Sequence, residues 1–556
     1  MRLFAQQQSM PPLEELPWLM AATPNAAADL ASRVWIPLLV ERFAAFLPPN
    51  EVACNLRLVD KATARQLKSP EHTTVRLSQP APHHAFVRRW AEARALKPLT
   101  WRQRRRLLQL TARSGSLANL EALLALAEHC PLRPDVLEAA AGGGQLAMCQ
   151  ALRQSGCPWS DETLREAARG GHWAVCEWLL ASGCPWSGAA PGAAASGGHV
   201  GLADWLLAAA PTGGVNAACL LRGAATACDL ATLQRLYDTW SGGLLEGTDV
   251  DDVVMPAAVL SPTPDWQAKA EWLAGRVSRP ERVILLVGVS EELYGRYDWR
   301  ERAAWMWRRW GYRTDPELVF VFAHGAVRSG NTDAARCLLA QGLPPADPLS
   351  PRITAIAAEA GHLGMLQLLG SLGHAMDFDT LKRALRTGNL AVVRWVAERL
   401  GQQGPGQWLL SADLFCAGAS SGSREVLEWL RERGCPWGAD TFAAAAAAGS
   451  EEQLEWLAER GCPLGGDGAP YVQPAARSDL SVLRCLRRLG CPWSDTTFAR
   501  CSHAVREDPV ERHCPRPAGL SWLLGQGCRV NWREVGNALS REAVAWLRHI
   551  QEEEGN

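Results

Sequence analysis

Cysteine and histidine have the widest chemical range of the side chains here, because either can ligate a metal or serve as nucleophile or base. The chain of 556 residues holds 17 cysteines and 12 histidines. The cysteines recur in one phrase, Gly-Cys-Pro-Trp, at Gly156–Trp159, Gly183–Trp186, Gly434–Trp437 and Gly490–Trp493, with a Leu variant at Gly461–Leu464. Cys130, Cys157 and Cys184 stand 27 residues apart, as do Cys435 and Cys462. One cysteine per phrase, without CxxC pairs, fits neither a zinc site nor a disulfide ladder, so each reads as a small buried thiol. Cys501, His503, His513 and Cys514 form a local cluster whose spacing matches no zinc pattern, and no metal is expected there. His172, His199 and His362 each directly follow a Gly at one recurring position. A catalytic base is needed once, so repetition points to a structural hydrogen bond.

The remaining motifs of chemistry are missing. No GxGxxG or GxxxxGK[ST] stretch opens a helix after a strand, and GxSxG and HExxH are absent. No nucleophile, base and orienting acid stand out together. The sequence therefore predicts no catalytic residue, no metal, no cofactor and no enzyme.

What lies between the cysteines explains the recurrence. Thr163, Leu164, Ala167, Ala168, Gly171, His172, Val175, Trp178, Leu179 and Gly183 read as two short amphipathic helices joined by a Gly turn. The same unit returns after Cys435, with Thr441, Phe442, Ala445, Ala446, Gly449, Leu454, Trp456, Leu457 and Gly461. Such a pair cannot bury its apolar face alone, so pairs must stack into an elongated array around one continuous core. The fold class is all-α, a helical-repeat solenoid. Of the 25 tryptophans, Trp178, Trp205, Trp429, Trp456 and Trp546 fall on the apolar face of the second helix beside Leu and are assigned to the repeat core. Trp159, Trp186, Trp437 and Trp493 follow Pro in the loop, where they cap the joint between units or stand at a binding edge.

The pattern Thr-Leu-x-x-Ala-Ala-x-x-Gly-His-x-x-Val-x-x-Trp-Leu-x-x-x-Gly resembles the ankyrin repeat, with Trp178 where that family carries Leu. The resemblance implies projecting fingers, but the units are shorter than the usual length of about 33 residues, so the fingers are short. The family's Pro and His after the first Thr are replaced by Leu164 and Arg165. Degenerate copies run over 106–550, including Ala326–Gly342, Ala357–Gly373 and Ala384–Leu400, which about fourteen units would fill. An irregular region covers 241–310, and insertions of this kind usually surface on a functional face.

The amino-terminal end differs. Residues 1–30 read as a flexible leader. Residues 33–68 read as a helical module, from Ile36-Pro37-Leu38-Leu39 through Phe43, Phe46 and Leu47 to a Pro48-Pro49 turn, then Val52, Leu56, Leu58 and Val59. Asn50 is placed to cap its second helix. Residues 69–105 read as a connector with a short strand over Thr73–Leu77. The module resembles an F-box, with Ile36 and Pro37 at the opening and Leu56, Arg57, Leu58, Val59 and Lys61 at the close, although the acidic residue after the opening Pro is missing. That resemblance implies docking on a Skp-type adaptor through Pro37, Leu38, Phe43, Leu47 and Leu56. The alternative is an N-terminal cap for the solenoid.

Net charge is -1, which is read as giving no global pull toward nucleic acid or anionic membrane. Arg102, Arg104, Arg105 and Arg106 interleave with Trp101, Leu107, Leu108 and Leu110 and read as a solvated helix face rather than an import signal. The odd cysteine count and the lack of an apolar signal segment predict a reduced compartment, cytoplasmic or nuclear. The expected function is a protein-binding scaffold holding a client protein, and with the F-box resemblance the substrate-recognition subunit of a cullin-type ubiquitin ligase. Neither nucleic acid nor membrane is an expected partner.

Overall fold

A computed structural model describes residues 35–126, 132–244, 250–310, 316–342, 350–402, 411–508 and 517–554. The expected leader, 1–30, lies outside them, as do Cys130, His513 and Cys514. The chain divides into two compact units, 1–86 and 87–556. The division falls inside the segment read as a connector, so residues 87–105 belong with the array. Every regular element among the described residues is helical, and no helix there is long and apolar enough to cross a membrane.

In the first unit, Pro opens both leading helices, Pro37–Phe46 and Pro49–Cys54, where its fixed φ and missing N–H cost nothing. Val40, Ala44, Val52, Leu56 and Leu67 form a small core, with Trp35 and Phe43 packed against it. The Trp35 indole donates to Thr63 Oγ1 at 2.8 Å, tying the start of the unit to the helix Lys61–Gln66. Asn50 does not cap a helix. Its side chain is buried and donates to the carbonyls of Arg76, Gln79 and Pro80, while its Oδ1 accepts from the Arg76 N–H at 2.8 Å. Those bonds satisfy the backbone of a loop, so no strand forms over Thr73–Leu77: Pro70–Thr73 is a helical turn, and the chain then runs on as the loop Asn50 holds.

The second unit is a helical-repeat solenoid. Asp161–Arg169 pairs with Trp173–Ala181, and Ala439–Ala448 with Glu451–Glu459, as the sequence pattern requires. The recurring Thr has a specific use. The hydroxyls of Thr163, Thr380, Thr441 and Thr497 accept the backbone N–H three residues earlier, at 2.8–3.3 Å, satisfying a donor where the chain enters each first helix. Small residues on the first helices let neighbours approach closely. A Cβ added at Gly223 would come within 2.0 Å of the Gly192 carbonyl oxygen one unit away.

The irregular region is not a projecting insertion. Its helices Met255–Val259, Trp266–Ala274, Pro280–Gly288 and Trp299–Trp310 continue the stack. Polar side chains stitch it from within: the fully buried Lys269 donates to the carbonyls of Ala225 and Cys228 and to Ser261 Oγ at 2.8–2.9 Å. All three ammonium protons are thereby used, which is how a charge survives in a core.

The array also closes on itself, which the repeat pattern does not imply. Its first long helix, Trp101–Ser114, lies against units more than 300 residues away in sequence. Arg104, 2% exposed, pairs with Asp479 at 2.6 Å and donates to the Gly449 carbonyl at 3.0 Å and to Ser481 Oγ. Before it, Lys97 pairs with Glu455 at 2.8 Å, and the Lys97 carbonyl accepts from Ser450 Oγ and the Glu452 N–H. Behind it, Arg133 reaches Asp508 at 3.4 Å. The arginine cluster is therefore not a solvated face: Arg104 is buried and Arg105 pairs with Asp135, while Arg102 and Arg106 stay exposed.

Candidate functional site

Among the described residues, exposed apolar side chains gather on one surface and arginines on another. The first lies on the N-terminal unit. Helix Pro37–Phe46 buries only Val40 and Ala44, because the unit is too small to cover more. Leu38 is 67% exposed, Phe46 85% and Leu58 55%, and Ile36, Leu47 and Val59 are exposed beside them in sequence. One exposed Leu needs no explanation, but this many large apolar side chains within residues 36–59 mark an interaction surface. Of the residues assigned to adaptor docking, Pro37, Leu38 and Leu47 are on the outside. Leu56 and Phe43 are not: Leu56 is buried in the unit's core and Phe43 packs on it, 6.2 Å from the Trp35 ring. Phe46, Leu58 and Val59 take their place at the surface. The helix phase offered the signal for Phe46, since Val40, Phe43 and Ala44 already complete the inward stripe.

The second surface is the seam where Trp101–Ser114 meets the far units. Trp101 sits among three guanidiniums, those of Arg105, Arg133 and Arg477, with 5.0–5.5 Å to its ring centre. Beside it a cleft of about 380 Å³ is lined by Arg102, Arg106, Arg477 and Asp508. Burial, with the nearby Arg102 charge adding to it, holds the Arg477 guanidinium below its ordinary value.

The repeated residues are structural. Of the assigned core tryptophans, Trp429 and Trp456 are 4% and 3% exposed, whereas Trp178, Trp205 and Trp546 are only half-buried. The Leu after each one, Leu179, Leu206 and Leu547, fills the core instead. The loop tryptophans cap the joints. Arg153, Arg431 and Arg487 lie over Trp159, Trp437 and Trp493 at 3.8–4.0 Å, and Trp437 and Trp493 also meet Phe415 and Tyr471 at 5.5–5.6 Å. Trp186 donates to the Gly214 carbonyl. The cysteines join units too: the thiols of Cys157, Cys184 and Cys435 donate to the carbonyls of Arg133, Ser160 and Ser411, each 24 residues earlier. Burial pushes the Cys157 thiol up to about 12 and Cys435 to about 11, so both stay protonated and poorly nucleophilic. His172 and His362 hydrogen-bond to the carbonyls of Gly142 and Arg328 in the preceding unit. Cys501 is buried, and His503 is exposed, so these two cluster residues do not face a common site. Glu451, Glu455 and Cys485 lie close enough together to suggest metal ligands, but Lys97 and Arg488 already neutralise Glu455, and the Cys485 thiol is pushed up to about 11.

No protein-family model matches the sequence, and no curated protein matches it. Among solved structures, the chain is similar to the pentatricopeptide repeat protein PPR10 from maize, at 13% identity over 96% of this chain and 99% of that one, with a TM-score of 0.26. It is also similar to PPR10 in complex with an 18-nt psaJ RNA element, at 11% identity over 96% and 97%, with a TM-score of 0.23. At TM-scores this low the fold assignment rests on the helices of this chain itself, and no partner is carried over from those proteins. The expectation that nucleic acid is excluded as a partner is nevertheless withdrawn, because a net charge near zero gives no ground for it. That expectation averaged charge over the whole chain, and an average hides a local basic surface such as Arg102, Arg106 and Arg477.

Proposed function

We propose that this chain is a recognition scaffold whose helical array holds a client protein while its N-terminal unit docks on a Skp-type adaptor, as the substrate-recognition subunit of a cullin-type ubiquitin ligase. The observation that carries the reading is the exposed apolar set on the N-terminal unit, with Leu38 and Phe46 more than half open to solvent. A unit this small leaves such a face for a partner to cover, and the F-box resemblance of Ile36–Lys61 supports an adaptor as that partner. The ankyrin-like unit supports a protein client. Free thiols at the joints fit a reducing compartment, cytoplasmic or nuclear.

The test is retention of a Skp-type adaptor by the full chain at low salt. Leu38→Asp and Phe46→Asp should each abolish retention, since burying an unpaired carboxylate costs about 3 kcal/mol or more. Both side chains point outward, so the melting of the array should not change. If the unaltered chain retains no adaptor, the ligase reading falls and a scaffold without a ubiquitin role takes its place. If either variant unfolds the repeats, the unit is a solenoid cap.

A further inference from the structure

Closure of the array crowds guanidiniums into one cleft. Of the four arginines near the start of Trp101–Ser114, Arg104 and Arg105 have carboxylate partners in Asp479 and Asp135. Arg102 and Arg106 have none among the described residues. They are exposed, one helical turn apart, and line the cleft from the same helix face. Arg477 enters from the opposite wall, anchored by its bond to the Ala447 carbonyl at 2.8 Å. Among the described residues Asp508 is the one carboxylate in the lining, and Arg133 already engages it.

Like charges on the walls of one cleft repel, and solvent screens that repulsion only in part. An anion placed between them would relieve that repulsion. Guanidinium is the group whose planar fork matches the oxygens of phosphate two at a time. A lone carboxylate brings one negative charge to Arg102 and Arg106, which have no carboxylate partner among the described residues, and to Arg477, which Asp508 and Asp479 offset only in part, whereas a di- or triphosphate brings several. We infer that the cleft between Trp101–Ser114 and the repeat carrying Arg477 binds a compact polyphosphate anion, which bridges that early helix and the late repeats of the array.

The aromatic content argues for a compact ligand over a nucleic-acid strand. Trp101 is the one aromatic side chain among the described residues of the lining, and its ring already carries Arg105, Arg133 and Arg477. A strand needs successive open ring faces for its bases. Because the ligand touches both sides of the seam, its binding would also hold the array closed. This proposal stands apart from the adaptor reading, whose residues lie in the other unit.

The experiment is calorimetric titration of the full chain with sodium tripolyphosphate at low salt, with sodium sulfate at matched ionic strength as control. The comparison is the double variant Arg102→Ala/Arg106→Ala. Its two positions are exposed and unpaired, so unchanged helicity by circular dichroism is expected. Tripolyphosphate should bind the unaltered chain and raise its melting temperature, and the double variant should bind about tenfold or more weakly. The inference is overturned if tripolyphosphate does not bind at millimolar concentration, if sulfate binds as well, or if the double variant binds equally. Should a single-stranded RNA oligonucleotide bind through the same two arginines more tightly than tripolyphosphate, the site is a nucleic-acid site and the compact-anion inference falls.

Discussion

The Gly-Cys-Pro-Trp phrase is a joint in which each residue has a separate task. Gly takes a left-handed φ, as at Gly156 and Gly434, with φ of 80° and 76°. Cys reaches back to the preceding unit, and Trp lies under the Arg four residues before the Cys. The Arg153 Nη1 also donates to the Cys157 carbonyl at 2.6 Å, so one guanidinium satisfies a backbone acceptor and covers an indole. Periodicity placed the second-helix tryptophans on the apolar face but could not grade their burial, which depends on what the next unit brings. Trp456→Ala should therefore cost about 3 to 5 kcal/mol, and Trp178→Ala under about 2, because only the first leaves a closed cavity. Denaturant midpoints of the two variants measure the difference; equal losses would mean that both rings are equally enclosed.

At the scale of elements, the unit is a first helix rich in small residues, a left-handed turn residue and a bulkier second helix. The turn residue is nearly always Gly, and where Ser478 replaces it the φ of 54° is still left-handed, with its hydroxyl accepting the Gly519 N–H. The left-handed glycines of joints and turns are not equivalent. A Cβ at Gly156 would meet open space, whereas one at Gly449 would come within 2.9 Å of Trp101 Cβ and 3.0 Å of its backbone nitrogen. Gly156→Ala should lose about 1 to 2 kcal/mol from left-handed strain alone. Gly449→Ala should lose more and loosen Trp101–Ser114, seen as faster hydrogen exchange there. Equal losses, with no change in that helix, would mean that the seam gives way without cost.

At the scale of the molecule, closure turns a one-dimensional stack into an array with a long-range lock. A simple solenoid unit touches only its neighbours, but Arg104 and Asp479 are 375 residues apart. Breaking a buried pair leaves one charge stranded, so Arg104→Ala should destabilise by about 3 to 5 kcal/mol. Exchange should rise in Trp101–Ser114 and Leu480–Arg488 and stay unchanged in Asp161–Arg169, as followed by hydrogen–deuterium exchange; a uniform rise would assign Arg104 to global packing. The sequence by itself determined the two-helix unit, its stacking and the structural histidines and cysteines, because these follow from spacing within one or two units, whereas the short strand it suggested over Thr73–Leu77 is a helical turn and a loop. It even contained a hint of the lock, since Arg104 falls on the same helical stripe as Leu107, Leu108 and Thr111, all buried. It could not say what that arginine would meet, nor that Leu56 turns inward. Local spacing reports which face of a helix is apolar, and only the tertiary structure decides which distant backbone, carboxylate or open solvent that face encounters.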